Sequence, residues 1–262
     1  LIDKGCHGVV FFGSTGQSQL ISLSEKIQLI NLLPKSNYRD KFIIGTGLNS
    51  LVDNINLIKI AKSNGFNKFL IMPPAYYKYS DHDVINFYSR IIDEINECKI
   101  ILYNFEKLSG YKFSIDCVEE LVKKFPSQIV GVKDSSYNLY ENLKIDNFSV
   151  MPGSESKLLK GLELGCSGII TATTNVTSIL ARDVYDKFQN GSDQSSNEKL
   201  CLVRSIFDKF NLISGLHTFM AQIDQDYQNL IPPLKLLNEN EKKIFLDELQ
   251  KLDFDFKHLK AA

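Results

Sequence analysis

Apolar residues in this chain fall into short unbroken runs, separated by longer stretches in which they recur every three or four positions. The runs are 8–13 (GVVFFG), 42–47 (FIIGTG), 68–74 (KFLIMPP), 99–104 (KIILYN), 129–135 (IVGVKDS), 148–154 (FSVMPGS) and 168–175 (GIITATTN). A continuous apolar run bounded by small, polar or proline residues reads as a strand buried on both faces, as in a parallel sheet. The first six have that character, and the last is richer in threonine but still β-branched. Between the runs lie amphipathic segments with helix signals. Ser22-Leu23-Ser24-Glu25 is a capping box opening a helix to about Leu33. Ser50 and Ser80 are placed as N-caps for helices near 51–63 and 81–96, and Gly65 and Gly165 as C′ stops. From about Thr177 onward only helical patterns remain, broken at Ile231-Pro232-Pro233 before a last helix near 239–252.

Strand and helix in alternation predict βα repeats around a parallel sheet. The chain opens on Leu1-Ile2-Asp3-Lys4-Gly5, which reads as the tail of a helix with its glycine stop. The expected fold is therefore an α/β TIM (β/α)8 barrel whose first strand is absent from this chain, with the full-length product expected to begin about 20–30 residues upstream. Residues 1–176 would form the barrel core lacking strand one. Residues 177–262 would supply the final barrel helix and a C-terminal helical extension, in one structural unit with the core. An open doubly wound sheet satisfies the same alternation; the chemistry at the strand ends favours the barrel.

With 262 residues, 44% hydrophobic and 23% charged, the chain has ordinary globular composition. A net charge of −1 offers no electrostatic attraction to nucleic acid or to a membrane surface. No apolar run is long enough to span a bilayer. Cys6, Cys98, Cys117, Cys166 and Cys201 are odd in number and lack C-x-x-C spacing, which points to a reducing, cytoplasmic setting. His7, His82, His217 and His258 are scattered without metal-ligand spacing, so no metal is expected. Each reads as a surface or packing residue.

In a βα barrel the chemistry sits at the C-terminal ends of the strands. Those ends carry Ser14 and Thr15, Tyr76 and Tyr77, Tyr103 and Asn104, Lys133, Gly153 and Glu155, and the run from Thr171 to Asn175. Lys133 leaves the apolar strand 129–132. A lysine amine attacks a carbonyl only when neutral, and burial favours that state. The resulting imine is an electron sink for an adjacent carbanion. A lysine paired with its neighbour Asp134 satisfies the same pattern. Tyr103 can donate and accept a proton, or pack as a core tyrosine. Gly13-Ser14-Thr15-Gly16 would let backbone N–H groups approach an anion, or simply turn the chain.

Taken in order and spacing, these strand ends resemble the dihydrodipicolinate synthase / N-acetylneuraminate lyase family. The likeness runs from GVVFFGSTGQ at 8–17 through Gly45-Thr46-Gly47, PAYYKYS at 74–80, Tyr103-Asn104, Gly110, Gly131-Val132-Lys133-Asp134, Gly153-Ser154-Glu155 and 165–171 to Asn175. The resemblance implies a (β/α)8 barrel with a helical extension, assembled as a homodimer or homotetramer. It implies an imine between pyruvate and Lys133, with no metal or organic cofactor. Tyr103 would be the proton-transfer tyrosine, with Ser14 joining the relay and, with Thr15, binding the ketoacid carboxylate. Tyr76 matches the tyrosine that reaches into a neighbouring subunit to complete the relay. Ile170 packs near the bound ketoacid, and Ser135, Gly153 and Glu155 are counted with the substrate-binding positions.

Departures from the family bear on the second substrate. The synthase branch has an arginine where this chain has Leu108, and losing a guanidinium loses bidentate carboxylate recognition. Leu108-Ser109-Gly110 resembles the neuraminate lyase branch, but Gly153-Ser154-Glu155-Ser156 departs from that branch's Gly-x-Asp-Glu. Lys-Asp-Ser at 133–135 is similar to aldolases of 2-keto-3-deoxy sugar acids and 4-hydroxy-2-oxoglutarate. The resemblance therefore implies a Schiff-base lyase or aldolase with pyruvate as the ketoacid partner, acting on such a substrate or an acylneuraminate-like one. The alternatives are a 4-hydroxy-tetrahydrodipicolinate synthase using aspartate-semialdehyde, and a non-catalytic ketoacid-binding paralogue.

Overall fold

The computed structural model describes residues 1–95 and 97–256. His258 and the expected helix end at Asn96 lie outside them. The chain divides into two compact units. One comprises His7–Gly153 and Leu164–Ile170; the other comprises Leu1–Cys6, Ser154–Glu163 and Thr171–Ala262. The boundary expected at 176/177 falls inside a continuous helix, Thr174–Gln189.

The first unit holds a six-stranded parallel sheet: β1 (Val9–Phe11), β2 (Phe42–Gly45), β3 (Lys68–Ile71), β4 (Lys99–Asn104), β5 (Ile129–Asp134) and β6 (Ser149–Pro152). Spatial order follows chain order throughout. A doubly wound sheet reverses its order at a switch point; this sheet does not, which makes the fold TIM-barrel-like. Five of the six strands are shorter than their apolar runs, β4 alone matching its run of 99–104, and at β1, β2 and β3 backbone chemistry ends the strand early. Phe12 turns left-handed at φ 56, Gly47 does the same, and Pro73 follows β3 without an N–H to donate.

The connecting helices are α1 (Leu23–Leu32), α2 (Leu51–Ser63), α3 (Asp81–Glu94), the single turn α4 (Glu106–Ser109) and α5 (Ile115–Lys124). Ser22 accepts from the Glu25 N–H while Glu25 reaches back to the Ser22 N–H, completing the expected capping box. Ser80 and Asp83 form another at α3, and Ser50 caps α2. The helices bury their apolar stripes on the outer face of the sheet. Leu57 and Ile58 of α2 and Ile91 of α3 have no solvent exposure and share a core with Ile44, Phe69, Ile100 and Leu102. Burying each such side chain contributes about 1.5–3 kcal/mol.

The expected seventh strand at 168–175 does not form. Ser167 and Ile170 N–H groups donate to Val150 and Pro152 carbonyls at 3.0 and 3.1 Å, so the segment runs beside β6. Gly168, at φ 140, breaks the extended run, and from Thr174 the chain is helical. Isoleucine and threonine fit a strand, but two bonds on one edge do not make a ladder.

The second unit contains α6 (Leu158–Glu163), α7 (Thr174–Gln189), α8 (Ser195–Phe207), α9 (Leu212–Met220) and α10 (Glu239–Lys251). The helical reading of the C-terminal third is borne out, as is the interruption at Pro232-Pro233, where the peptide bond is cis. Its core is aromatic: Phe207 meets Phe245 edge-on at 4.9 Å and Phe219 at 6.2 Å. Edge-to-face pairs of this kind contribute about 0.5–1.5 kcal/mol beyond their buried area. Among the described residues no helix is long and apolar enough to cross a membrane.

Candidate active site

Parallel pairing of β4 with β5 sets Tyr103 opposite Lys133 and Asn104 opposite Asp134. Strand side chains alternate between faces. Ile100 and Leu102 join the core under the helices, while Ile101 and Tyr103 join a separate inner cluster with Leu70 and Met72. Phe105, Met151 and Ile170 pack against that inner cluster. Lys133 is only 9% exposed, and its Nζ sits 4.3 Å from the centre of the Tyr103 ring. That aromatic face attracts the amine while it carries charge.

Ser14 reaches the same point from β1. After the left-handed turn at Phe12, residues Ser14–Gly16 form one 3-10 turn. This brings Ser14 Oγ to 3.1 Å from Tyr103 Oη. An amine from β5, a phenol from β4 and a hydroxyl from the turn after β1 thus come together, the amine over the phenol ring and the hydroxyl beside its oxygen. Either hydroxyl can donate to the other, which is what a proton relay requires. Thr15 lies beside Ser14 in the same turn and is partly buried.

Asp134 does not pair with Lys133. Its Oδ1 accepts from Asn104 Nδ2 at 2.8 Å and from the Tyr137 N–H at 2.9 Å. Its Oδ2 accepts from the Leu139 and Tyr140 N–H groups at 2.8 and 3.0 Å. The carboxylate has no exposure, and both oxygens are committed to the opposite face of the strand. The alternative of a simple lysine–aspartate pair at a strand end is thereby removed.

The other expected positions divide. Ser135 and Gly153 adjoin: a Cβ on Gly153 would lie 2.1 Å from Ser135 Oγ. Ile170 packs against the cluster that contains Tyr103. Tyr76 is not drawn in. It is 89% exposed at φ 89 and stacks edge-on with Tyr77 at 5.1 Å. Leu108 is exposed on α4, while its neighbour Ser109 is buried and bonds the Phe105 and Tyr111 carbonyls.

Glu155 belongs to the helical unit and is fully buried there. Its Oε2 accepts from Arg204 Nη1 at 2.7 Å and from Thr171 Oγ1 at 2.8 Å, and its Oε1 from Thr177 at 3.4 Å. These protein donors occupy the carboxylate expected to bind substrate, because an uncompensated buried charge is costly. Burial works against the Arg204 charge, but Glu155 and then Asp208 outweigh it and hold its pKa above the usual arginine value.

Sequence reading missed Arg204, and it missed Lys26. Lys26 of α1 has no exposure, and its Nζ donates to the Thr46 and Gly47 carbonyls at 2.9 and 3.2 Å. Burial pulls its pKa down to about 8. Both residues sit on the apolar stripe of their helix, and a charge on that stripe was the available signal.

The family model described as dihydrodipicolinate synthetase family matches residues 1–252. An uncharacterized DapA-like lyase of Chloroflexus aurantiacus is 29% identical over 91% of this chain and 83% of its own length. The 4-hydroxy-tetrahydrodipicolinate synthase of Listeria monocytogenes is 31% identical over 79% of this chain and 73% of its own. Among solved structures, a prophage protein of the dihydrodipicolinic acid synthase family from E. coli K12, in complex with pyruvate, superposes with a TM-score of 0.86 at 22% identity. It covers 97% of this chain and 89% of that one. Dihydrodipicolinate synthase DapA-2 of Bacillus anthracis gives 0.85 at 24% identity, with 95% and 87% covered.

Proposed function

Because the chain belongs to the dihydrodipicolinate synthetase family, we propose that it is a carbon–carbon lyase whose Lys133 forms an imine with pyruvate or with a 2-oxo acid that yields pyruvate. Members of the family are lyases and synthases that use a lysine Schiff base with pyruvate. The observation that supports the reading for this chain is the amine, phenol and hydroxyl arrangement: Lys133 Nζ over the Tyr103 ring, and Tyr103 Oη beside Ser14 Oγ.

In the cleavage direction, Lys133 Nζ adds to the C2 carbonyl of a 4-hydroxy-2-oxo acid and water leaves, giving a protonated imine. Tyr103 takes the proton of the C4 hydroxyl as the C3–C4 bond breaks. The bond pair passes into the imine as an enamine, and an aldehyde departs. The proton returns to C3 through Tyr103 and Ser14, and water releases pyruvate and the free amine. Ser14 and Thr15 would hold the ketoacid carboxylate, since the leading N–H groups of a helical turn lack partners within it. The imine is the only covalent catalytic group required, without metal or organic cofactor.

A 2-keto-3-deoxy sugar acid, 4-hydroxy-2-oxoglutarate or an acylneuraminate-like acid is the proposed substrate class. The second reading is condensation of pyruvate with aspartate-semialdehyde, favoured by the names of the relatives. Leu108 opposes it, since an apolar side chain offers no bidentate partner to a carboxylate. As in the family, Tyr76 would act from a neighbouring copy in a homo-oligomer, which its exposure in the single chain supports. The test has two stages. Pyruvate with borohydride, read by intact mass, should leave an adduct on the wild type and none on Lys133→Ala; no adduct on the wild type sinks the reading. Pyruvate release from a panel of 2-oxo acids, set against condensation with aspartate-semialdehyde, then separates the two substrates.

A further inference from the structure

We propose that Asp134 is a positioning residue for Lys133, an inference that rests on the imine chemistry above. Asp134 follows Lys133 on β5, just as Asn104 follows Tyr103 on β4, and the two pairs share one register. On the inner face that register sets Lys133 against the Tyr103 ring. On the outer face Asn104 Nδ2 donates to Asp134 Oδ1 across the same rung. The reacting pair and its brace are therefore two sides of one strand contact.

The brace extends into both following loops. The other three bonds to Asp134 come from backbone N–H groups of Tyr137, Leu139 and Tyr140, so residues 137–140 wind around the carboxylate. Asn104 Nδ2 also donates to Asn138 Oδ1, and its own oxygen accepts from the Phe113 N–H. Asn138 Nδ2 then donates to the Phe113 carbonyl. Both Nδ2 hydrogens of Asn104 and its carbonyl oxygen are engaged, and each Asp134 oxygen accepts twice. Such a filled network permits one arrangement, because any shift leaves buried polar groups without partners. A charged acceptor strengthens each bond. The Ser135 N–H donates to the Asn104 carbonyl at 2.8 Å, so the residue after Asp134 is tied to the same rung.

Imine formation needs the amine on line with a carbonyl carbon, and a displacement of about 1 Å costs about 100-fold in rate. Asp134→Asn replaces acceptor lone pairs with an amide N–H that faces other donors. It leaves Lys133, Tyr103 and Ser14 in place as chemical groups. A loop staple alone would lower Tm and leave folded molecules reacting at the normal rate. A positioning residue changes the rate of the folded molecule.

The rate constant for borohydride-trapped pyruvate on Lys133, per folded molecule and well below each Tm, distinguishes the two. The expected result is a fall of about 10- to 100-fold in Asp134→Asn, with most of it recovered in Asp134→Glu, which keeps the carboxylate. An unchanged rate in Asp134→Asn overturns the proposal. Should that variant fail to fold, Asn138→Ala decides: it leaves Asp134 intact, removes the acceptor of one Asn104 Nδ2 hydrogen and the tie to the Phe113 carbonyl, and should slow trapping severalfold; a wild-type rate there overturns the proposal equally. Absence of any adduct on the wild type overturns the imine reading itself, which is a separate failure.

Discussion

Ser14 Oγ and Tyr103 Oη lie within hydrogen-bond distance although 89 residues separate them in sequence. Two hydroxyls so placed can pass a proton between them, and if the proposed relay runs through both, their removal should not be additive. Tyr103→Phe keeps the ring against Lys133 and deletes only the transferring oxygen. It should lower kcat for pyruvate release by about 100- to 1,000-fold, within the usual range for a positioned acid–base group. Ser14→Ala should cost about 10-fold on the same scale. The double variant should be little worse than Tyr103→Phe, whereas a full product of the two losses would show independent roles.

Arg204 and Glu155 form a buried ion pair with a second carboxylate, Asp208, at 2.9 Å on the solvent side. Arg204→Met leaves the fully buried Glu155 carboxylate without its cationic partner. It should destabilise the protein by about 3–5 kcal/mol in urea unfolding. Arg204→Met with Glu155→Gln removes the stranded charge and should recover more than half of that loss. A double variant as unstable as the single one would mean that the pair acts through packing alone.

The six strands were legible because burial on both faces leaves an unbroken apolar run, a signal that needs no knowledge of neighbours. The segment at 168–175 was misread because its composition is strand-like and its failure to pair is not encoded in composition. That Lys133, Tyr103 and Ser14 lie together was readable from order and spacing. The role of Asp134 was not: it depends on three backbone N–H groups that converge only when the loop closes. Glu155 was legible as a strand-end acid and illegible as the partner of an arginine 49 positions away. The clue lay in α8, where Arg204 shares a stripe with the buried Leu200, Val203 and Phe207.

Gly153 passes Ser135 so closely that a Cβ would sit 2.9 Å from the serine Cβ and 3.1 Å from its Cα. The backbone atom cannot swing aside as a side-chain tip can. Gly153→Ala should therefore cost about 1–3 kcal/mol, the range for overpacking a tight contact. Gly16→Ala, where nothing lies within 4 Å of the new carbon, serves as the control and should be near neutral. Thermal unfolding of the two variants measures the contrast. Equal Tm values would show that the Ser135 loop yields.

Lys26 makes the stability of the fold depend on pH in an unusual direction. Folding holds its amine at about 8, against an ordinary lysine value of about 10.4 in the unfolded chain. Below pH 8 the amine is protonated in both states, and its buried charge imposes a constant penalty. Between about 8 and 10.4 the unfolded chain binds more protons than the folded one, so stability rises with pH across that window. The two carbonyl acceptors, Thr46 and Gly47, hold the group in either protonation state, because a neutral amine still donates. Lys26→Met keeps the length of the side chain and removes the titration. The wild type should therefore gain on Lys26→Met by about 1–3 kcal/mol from pH 7 to pH 10. Taking the difference between the two proteins cancels the other lysines and tyrosines, which titrate in both. A difference that stays flat across the window would mean that water reaches the amine and that its burial carries no penalty.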